Sequence, residues 1–247
     1  MKLVAVVCSK NRVKELSTSA LPFVKSLGVD YFIVVEPQEK EAYLKVVELD
    51  KLIVLEKSNQ GLGYALKSAK EEVLKRGYDA IFKIDDDVRG LLNIDGVSIK
   101  KDLPKICQAL EKFPTAAAVC FPYDFEWYAA ENKLFSRINK RIQTCYIIKV
   151  KHAFYDKRVS TFEDFWQFLN IRNHNLDTLY CHKYLIHCKP VGKAKGGLQD
   201  FDRSKLALKE INLFKQIDPS VQVIEKPDKP WRYEPKLVGK KYKSRKL

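Results

Sequence analysis

Three consecutive aspartates, Asp85-Asp86-Asp87, close an apolar run that starts at Tyr78 and reads Ala80-Ile81-Phe82-Lys83-Ile84 before the first carboxylate. The run has the composition of a buried strand. Asp is a poor strand former, so the triplet is expected to end the strand and turn the chain out of the sheet. Adjacent carboxylates repel one another unless a cation or well-placed donors compensate them. In open α/β sheets ligands sit at the carboxyl ends of strands. Mg²⁺ or Mn²⁺ takes oxygen ligands and leaves positions open for phosphate. A solvated acidic turn is the plain alternative for any isolated triplet; the strand before this one and the elements upstream favour a metal.

Those upstream elements alternate. Residues 3–8, 30–35 and 51–55 read as strands, and helical patterns fill the stretches 13–27, 38–47 and 64–75, with Pro22 expected to break or kink the first. Four strands separated by helices in under ninety residues specify an α/β fold with a mostly parallel central sheet and helices on both faces. Polar residues follow the strand ends: Ser9, Lys10 and Arg12 after the first, Glu36 after the second. Asn59, with Gly61 and Gly63, opens the helix at 64–75, either as an N-cap with close-packed glycines or as a phosphate-binding turn. Further on, helices are expected at 98–113, from 160 and at 199–217, and strands at 116–121, 141–151, 179–187 and 221–224. Ser160 and Glu163 fit a capping box, which gives Glu163 a structural explanation. Asp164 follows it at the helix N-terminus, where the dipole keeps a carboxylate ionised and suited to act as a general base.

Charge adds a partner class. Lys and Arg total 45 against 31 Asp and Glu, a formal net charge of +14. The stretch 133–158 holds eight basic residues and one acidic, and 236–247 holds six basic and none acidic. A polyanion is the natural partner, nucleic acid being the commonest. The aromatic segment with Tyr123, Trp127 and Tyr128 stands beside the internal cluster and suits either stacking on an extruded base or core packing. The six cysteines form no C-x-x-C pair, as expected of buried thiols in a reducing cytoplasm. No apolar run is long enough to cross a bilayer, and the first residues do not form a signal peptide.

The N-terminal strand, the Asp triplet and the later Glu163-Asp164 pair resemble a GT-A (Rossmann-like) glycosyltransferase using a nucleotide sugar. More narrowly, Phe125-Glu126-Trp127-Tyr128 and Lys195-Gly196-Gly197 resemble the TET/JBP-associated glycosyltransferases, phage enzymes that place sugars on hydroxymethylated pyrimidines in DNA. The resemblance covers about residues 1–201. It implies a GT-A domain over 1–226, with a nucleotide-sugar-binding half (1–90) and an acceptor-binding half (91–226), followed by a basic tail, 227–247. It implies UDP-glucose or UDP-N-acetylglucosamine as donor, held by Ser9, Lys10, Arg12, Glu36, Asn59, Asp85, Asp86, Lys195, Gly196 and Gly197. Mn²⁺ or Mg²⁺ would bind Asp85 and Asp87, with His187 completing the shell. Asp164, with Glu163, would be catalytic, and a single displacement would invert the anomeric centre. Tyr123, Glu126, Trp127, Tyr128, Arg137, Lys140 and Arg141 would meet double-stranded DNA carrying a hydroxymethylated pyrimidine, 5-hydroxymethylcytosine foremost, in the cytoplasm of an infected host. Two other classes fit the same residues: a GT-A enzyme acting on glycans or proteins, and a silent DNA-binding module that keeps the fold. The clustered anions speak against the second, since a nucleic-acid surface gains nothing from them.

Overall fold

Side chains alternate across the first strand, β1 (Leu3–Cys8): Leu3, Ala5 and Val7 join one apolar layer, Val4 and Val6 another. A strand buried on both faces needs helices above and below it. The computed structural model, which describes residues 1–124, 134–135, 137–188, 203–227, 232–238 and 245–246, shows them. Helices α1 (Val13–Thr18), α2 (Ala20–Leu27) and α5 (Leu103–Lys112) cover one face; α4 (Leu62–Lys75) and α6 (Glu163–Asn173) cover the other. The short α3 (Lys40–Tyr43) follows a 3₁₀ turn at Pro37–Glu39, so little of the expected helix over 38–47 forms. The break expected near Pro22 occurs at Ser19, and Pro22 occupies the first turn of α2, where a missing N–H costs nothing.

Strands β2 (Asp30–Val35), β3 (Leu52–Val54) and β4 (Ala80–Asp85) extend β1 in parallel, with β1 between β2 and β4 and β3 outside β2. Beyond β4 come β6 (Ala116–Cys120), β7 (Arg137–Ile138), β8 (Tyr146–Lys149), β9 (Asp177–Tyr180) and β13 (Arg245–Lys246). Among the described residues the sheet has nine strands in the order β13-β7-β9-β6-β8-β4-β1-β2-β3. β8 runs antiparallel between β4 and β6, while β6 and β9 are parallel.

Asp86 and Asp87 form the turn that leads out of β4, as the triplet requires, into β5 (Val88–Leu92). β5 pairs with β10 (Leu185–Cys188) in a separate antiparallel ribbon. The single strand expected over 179–187 is therefore two. β9 stays in the main sheet, and the chain turns at His182 and Lys183 before β10 crosses to β5. Two pieces of the stretch expected as a basic tail also pair with other strands. Within it β12 (Tyr233–Leu237) pairs with β11 (Val221–Glu225), and β13 pairs with β7. Helix α7 (Arg203–Ile217) packs Ala207, Ile211 and Phe214 against Val159, Phe162, Phe165, Trp166 and Leu169.

The start of α4 and the segment before α6 meet at two glycines. A Cβ on Gly61 would lie 2.3 Å from Ser160 Oγ, and one on Gly63 would lie 2.0 Å from the Val159 carbonyl oxygen and 2.2 Å from that of Asp156. Gly63→Ala should therefore cost about 3 kcal/mol, because backbone has to move. Gly77→Ala, at φ +71° with no atom within 4 Å of the added Cβ, should cost only about 1 kcal/mol. Denaturant unfolding of the two variants measures the difference.

Candidate active site

The carboxyl ends of β1, β2 and β4 bring three groups of polar side chains together. The first is built on Asp86, which turns inward and is 5% exposed. Ser9 Oγ donates to it at 2.8 Å and Arg12 Nη1 at 2.9 Å, and the Tyr43 hydroxyl donates to Ser9 Oγ at 2.8 Å. Ser9, Arg12 and Asp86, all expected at the donor, thus bind one another. Burial raises the Asp86 carboxyl above its ordinary range, against the pull of Arg12.

The second group lies at the end of β2. Glu36, also 5% exposed, accepts from the Asn59 amide at 2.8 Å and pairs with Lys10 at 3.3 Å; Lys10 Nζ donates to Asn59 Oδ1 at 2.6 Å. Asn59 has φ +56°, a conformation Asn tolerates better than most residues. Three residues far apart in sequence and expected at the donor meet here.

The third group has no signature in the sequence. Lys83, in the middle of β4 and 2% exposed, donates to Asp85, to Glu163 Oε1 at 2.8 Å and to the Thr144 carbonyl at 3.0 Å. Burial by itself would lower the Lys83 pKa; the Asp85 and Glu163 carboxylates outweigh it and hold it well above the ordinary lysine value. Burial pushes Glu163 up to about 7, opposed by Lys83 and reinforced by Asp164 and Asp85. The capping box is corrected accordingly: no side-chain cap forms at α6, and Ser160 Oγ faces the Gly63 amide at 3.5 Å instead. The amides of residues 160–162 are taken by Glu210, from α7. A local S-x-x-E pattern could not anticipate carboxylates and amides supplied from so far along the chain.

Asp87 differs from its neighbours. Among the described residues no other side chain is bonded to it, and burial, with the charges of Asp85 and Asp86 adding, pushes it up to about 7. Such a carboxylate fits a divalent cation, which would supply the missing charge and accept its oxygens. Among the described residues no three His, Cys, Asp or Glu side chains gather into a complete ligand set. His187 lies opposite Gly90 on the ribbon, with Nδ1 3.4 Å from Asp124 Oδ2, and is not grouped with Asp85 and Asp87. His182 is buried edge-on against Tyr180 at 4.5 Å.

Asp164 keeps partial exposure and pairs with Arg141 Nη2 at 3.2 Å, while its other oxygen accepts from the Phe165 amide at 2.7 Å. Tyr123, whose hydroxyl burial pushes upward, bonds Thr144 Oγ1 through that hydroxyl and so adjoins the Lys83 group. Lys140 Nζ stands 4.6 Å above the Tyr180 ring. Arg137 belongs to β7. Glu126, Trp127, Tyr128, Lys195, Gly196 and Gly197 lie outside the described residues.

A sheet of this order with carboxylates at its centre admits comparison with known proteins. Residues 4–197 match the sequence profile described as TET-associated glycosyltransferase. The chain belongs to the TET-associated glycosyltransferase family. The expected α/β fold and family are both borne out, and the chain is a GT-A type glycosyltransferase. Solved structures share the fold of this family member at low identity. Glucosyl-3-phosphoglycerate synthase from Mycobacterium tuberculosis, in complex with Mn²⁺ and UDP-glucose, is 10% identical with a TM-score of 0.53, covering 99% of this chain and 89% of its own. GalNAc-T7 with UDP, GalNAc and Mn²⁺ is 11% identical with a TM-score of 0.54, covering 82% of this chain and 47% of its own. No curated protein matches the sequence.

Lys83→Met should destabilise this glycosyltransferase by about 3–5 kcal/mol near pH 8, since it leaves two carboxylates without their buried cation. The loss should shrink toward pH 5. Glu163, already raised by burial, loses in Lys83 the group that opposed the rise, so as pH falls the folded variant takes a proton there before the parent does and sheds one of its uncompensated charges. Urea unfolding at both pH values reads the change.

Proposed function

We propose that this enzyme moves a sugar from a UDP-sugar to the hydroxyl of a hydroxymethylated pyrimidine in duplex DNA, 5-hydroxymethylcytosine foremost, with a divalent cation and inversion at the anomeric carbon. The observation that carries the reading is the junction at Lys83, which ties the Asp85 carboxylate at the end of β4 to Glu163 at the start of α6. It joins the carboxylates that this reading gives to the donor and acceptor sides, at the carboxyl ends of parallel strands where such sheets bind ligands, and so supports the reading. DNA as acceptor is supported by the family description and by the basic stretches. A phage-infected bacterial cell is the setting that goes with this reading. Among the described residues no helix is long and apolar enough to cross a membrane.

Lys10, Glu36 and Asn59 would receive the nucleoside, exchanging their mutual bonds for bonds to it. Asp87, with Asp85 beside it, would hold Mn²⁺ or Mg²⁺, which supplies positive charge to the leaving diphosphate. Glucosyl-3-phosphoglycerate synthase with its Mn²⁺ and UDP-glucose supports that pairing of metal and donor. Asp164 takes the proton of the acceptor hydroxyl. The hydroxyl oxygen bonds to the anomeric carbon as the bond from that carbon to the diphosphate oxygen breaks, so a single displacement inverts the configuration. Asp86 acts by holding Ser9 and Arg12 rather than by meeting the donor.

Incubation with hydroxymethylated duplex DNA, Mn²⁺ and a panel of UDP-sugars, followed by nucleoside mass analysis, should show one hexose or N-acetylhexosamine added per modified base. EDTA should abolish the product, and Asp164→Asn should lower turnover by roughly 10²-fold or more without moving the melting temperature. Product formed at the parent rate by Asp164→Asn would remove it as the base.

Replacing Lys140 and Arg141 together by Gln should weaken binding to the same DNA. The log–log salt slope should fall by roughly 0.9 for each phosphate that the variant no longer neutralises. Titrations between low and moderate salt give the slope directly.

A further inference from the structure

Helix α7 begins beyond residue 197, where the family match ends. It nevertheless supplies the group that organises the start of α6. Glu210 is 1% exposed. Its Oε1 accepts from the Ser160 amide at 2.7 Å and the Thr161 amide at 2.9 Å, and its Oε2 from the Thr161 amide at 3.1 Å and the Phe162 amide at 3.0 Å. Successive amides turned toward one point at a helix N-terminus form an anion nest, and the helix dipole adds to their pull. A local N-cap would satisfy one or two such amides and leave the segment free to pivot. A carboxylate from another helix removes that freedom.

The segment so held has two further attachments. The Ser160 side chain lies against Gly61, and the backbone just before it, at Val159 and Asp156, lies against Gly63 at the start of α4. Its continuation opens α6 with Glu163, bonded to Lys83, and Asp164. α7 itself is anchored by Phe214 stacked on Phe165 at 5.4 Å and by Ile211 and Ala207 in the same apolar cluster.

We propose that Glu210 is a positioning residue for the transfer reaction: its carboxylate fixes the 160–162 backbone and with it the place at which α6 presents Glu163 and Asp164. The inference rests on the function proposed above, in which those two carboxylates serve the acceptor side. It makes α7, outside the matched segment, a working part of the active site.

The test compares Glu210→Ala and Glu210→Gln with Val221→Ala, a core truncation in the same cluster that leaves the bonds from Glu210 to the 160–162 amides in place. UDP release from UDP-glucose, with Mn²⁺ and hydroxymethylated duplex DNA, is followed at a temperature where each variant remains folded. Glu210→Ala should lose about tenfold or more in kcat, the scale on which small misplacements act, while the KM for UDP-glucose stays within about threefold. Acetate in the assay should restore part of the lost kcat by entering the vacated nest, and should do nothing for Val221→Ala. If Glu210→Ala does not fold, Glu210→Gln, which keeps an accepting oxygen but not the charge, should show the same kcat loss in milder form. The inference falls if the foldable Glu210 variant loses no more kcat than Val221→Ala does at equal loss of melting temperature, or if acetate has no effect on Glu210→Ala. A parent enzyme that releases no UDP under these conditions, or an Asp164→Asn variant as active as the parent, overturns the proposed function instead.

Discussion

A buried ammonium holds the centre of this molecule. Lys83 points off the most central parallel strand into a region otherwise filled by Tyr146 and Tyr155, where an unpaired charge is prohibitively costly. It is stable there because two carboxylates and one carbonyl oxygen converge on its nitrogen. Each partner comes from a different part of the chain: Asp85 from the same strand, Thr144 from the turn before β8, Glu163 from the start of α6. A single point charge therefore sets the relation between β4, the turn before β8 and the helix that carries Asp164. Buried pairs of this kind are poor contributors to net stability and are better suited to specifying one arrangement over others.

The same logic governs the three aspartates. Asp85 is paired with Lys83 and Asp86 with Arg12, whereas Asp87 has no ion pair of its own among the described residues. Repulsion that a solvated triplet would spread over three groups is thereby concentrated at one carboxylate at the end of the sheet. That is where a cation would do most to relieve it.

Much of the frame is legible in the sequence because it depends on local pattern. Alternating strands and helices through residue 88, the polar residues after each strand and the turn at the triplet all follow from neighbours in sequence. Asp164 and its helix are placed on the same ground. Lys83 is not, because one lysine inside an apolar strand looks like the start of a solvent-facing stripe; its partner Glu163 lies eighty residues away. Glu163 in turn has a local explanation in a cap that Glu210 provides instead, across a further helix. The splitting of 179–187 into β9 and β10 is hidden for a related reason: nothing local marks that β5 leaves the main sheet and needs a partner. The polar residues at the strand ends are visible by position, whereas the charges that join distant segments are not, since sequence proximity carries no information about those pairings.

The sheet ends in very short strands on both sides, three residues at β3 and two at β13. An exposed edge offers its unpaired amides and carbonyls to any extended chain, and length is what makes that offer dangerous. Among the described residues each outer ladder runs out almost as soon as it begins, which leaves little length for a strand from a second molecule to pair with. Among the described residues, brevity at the borders of this nine-stranded sheet is thus what limits pairing along its rims.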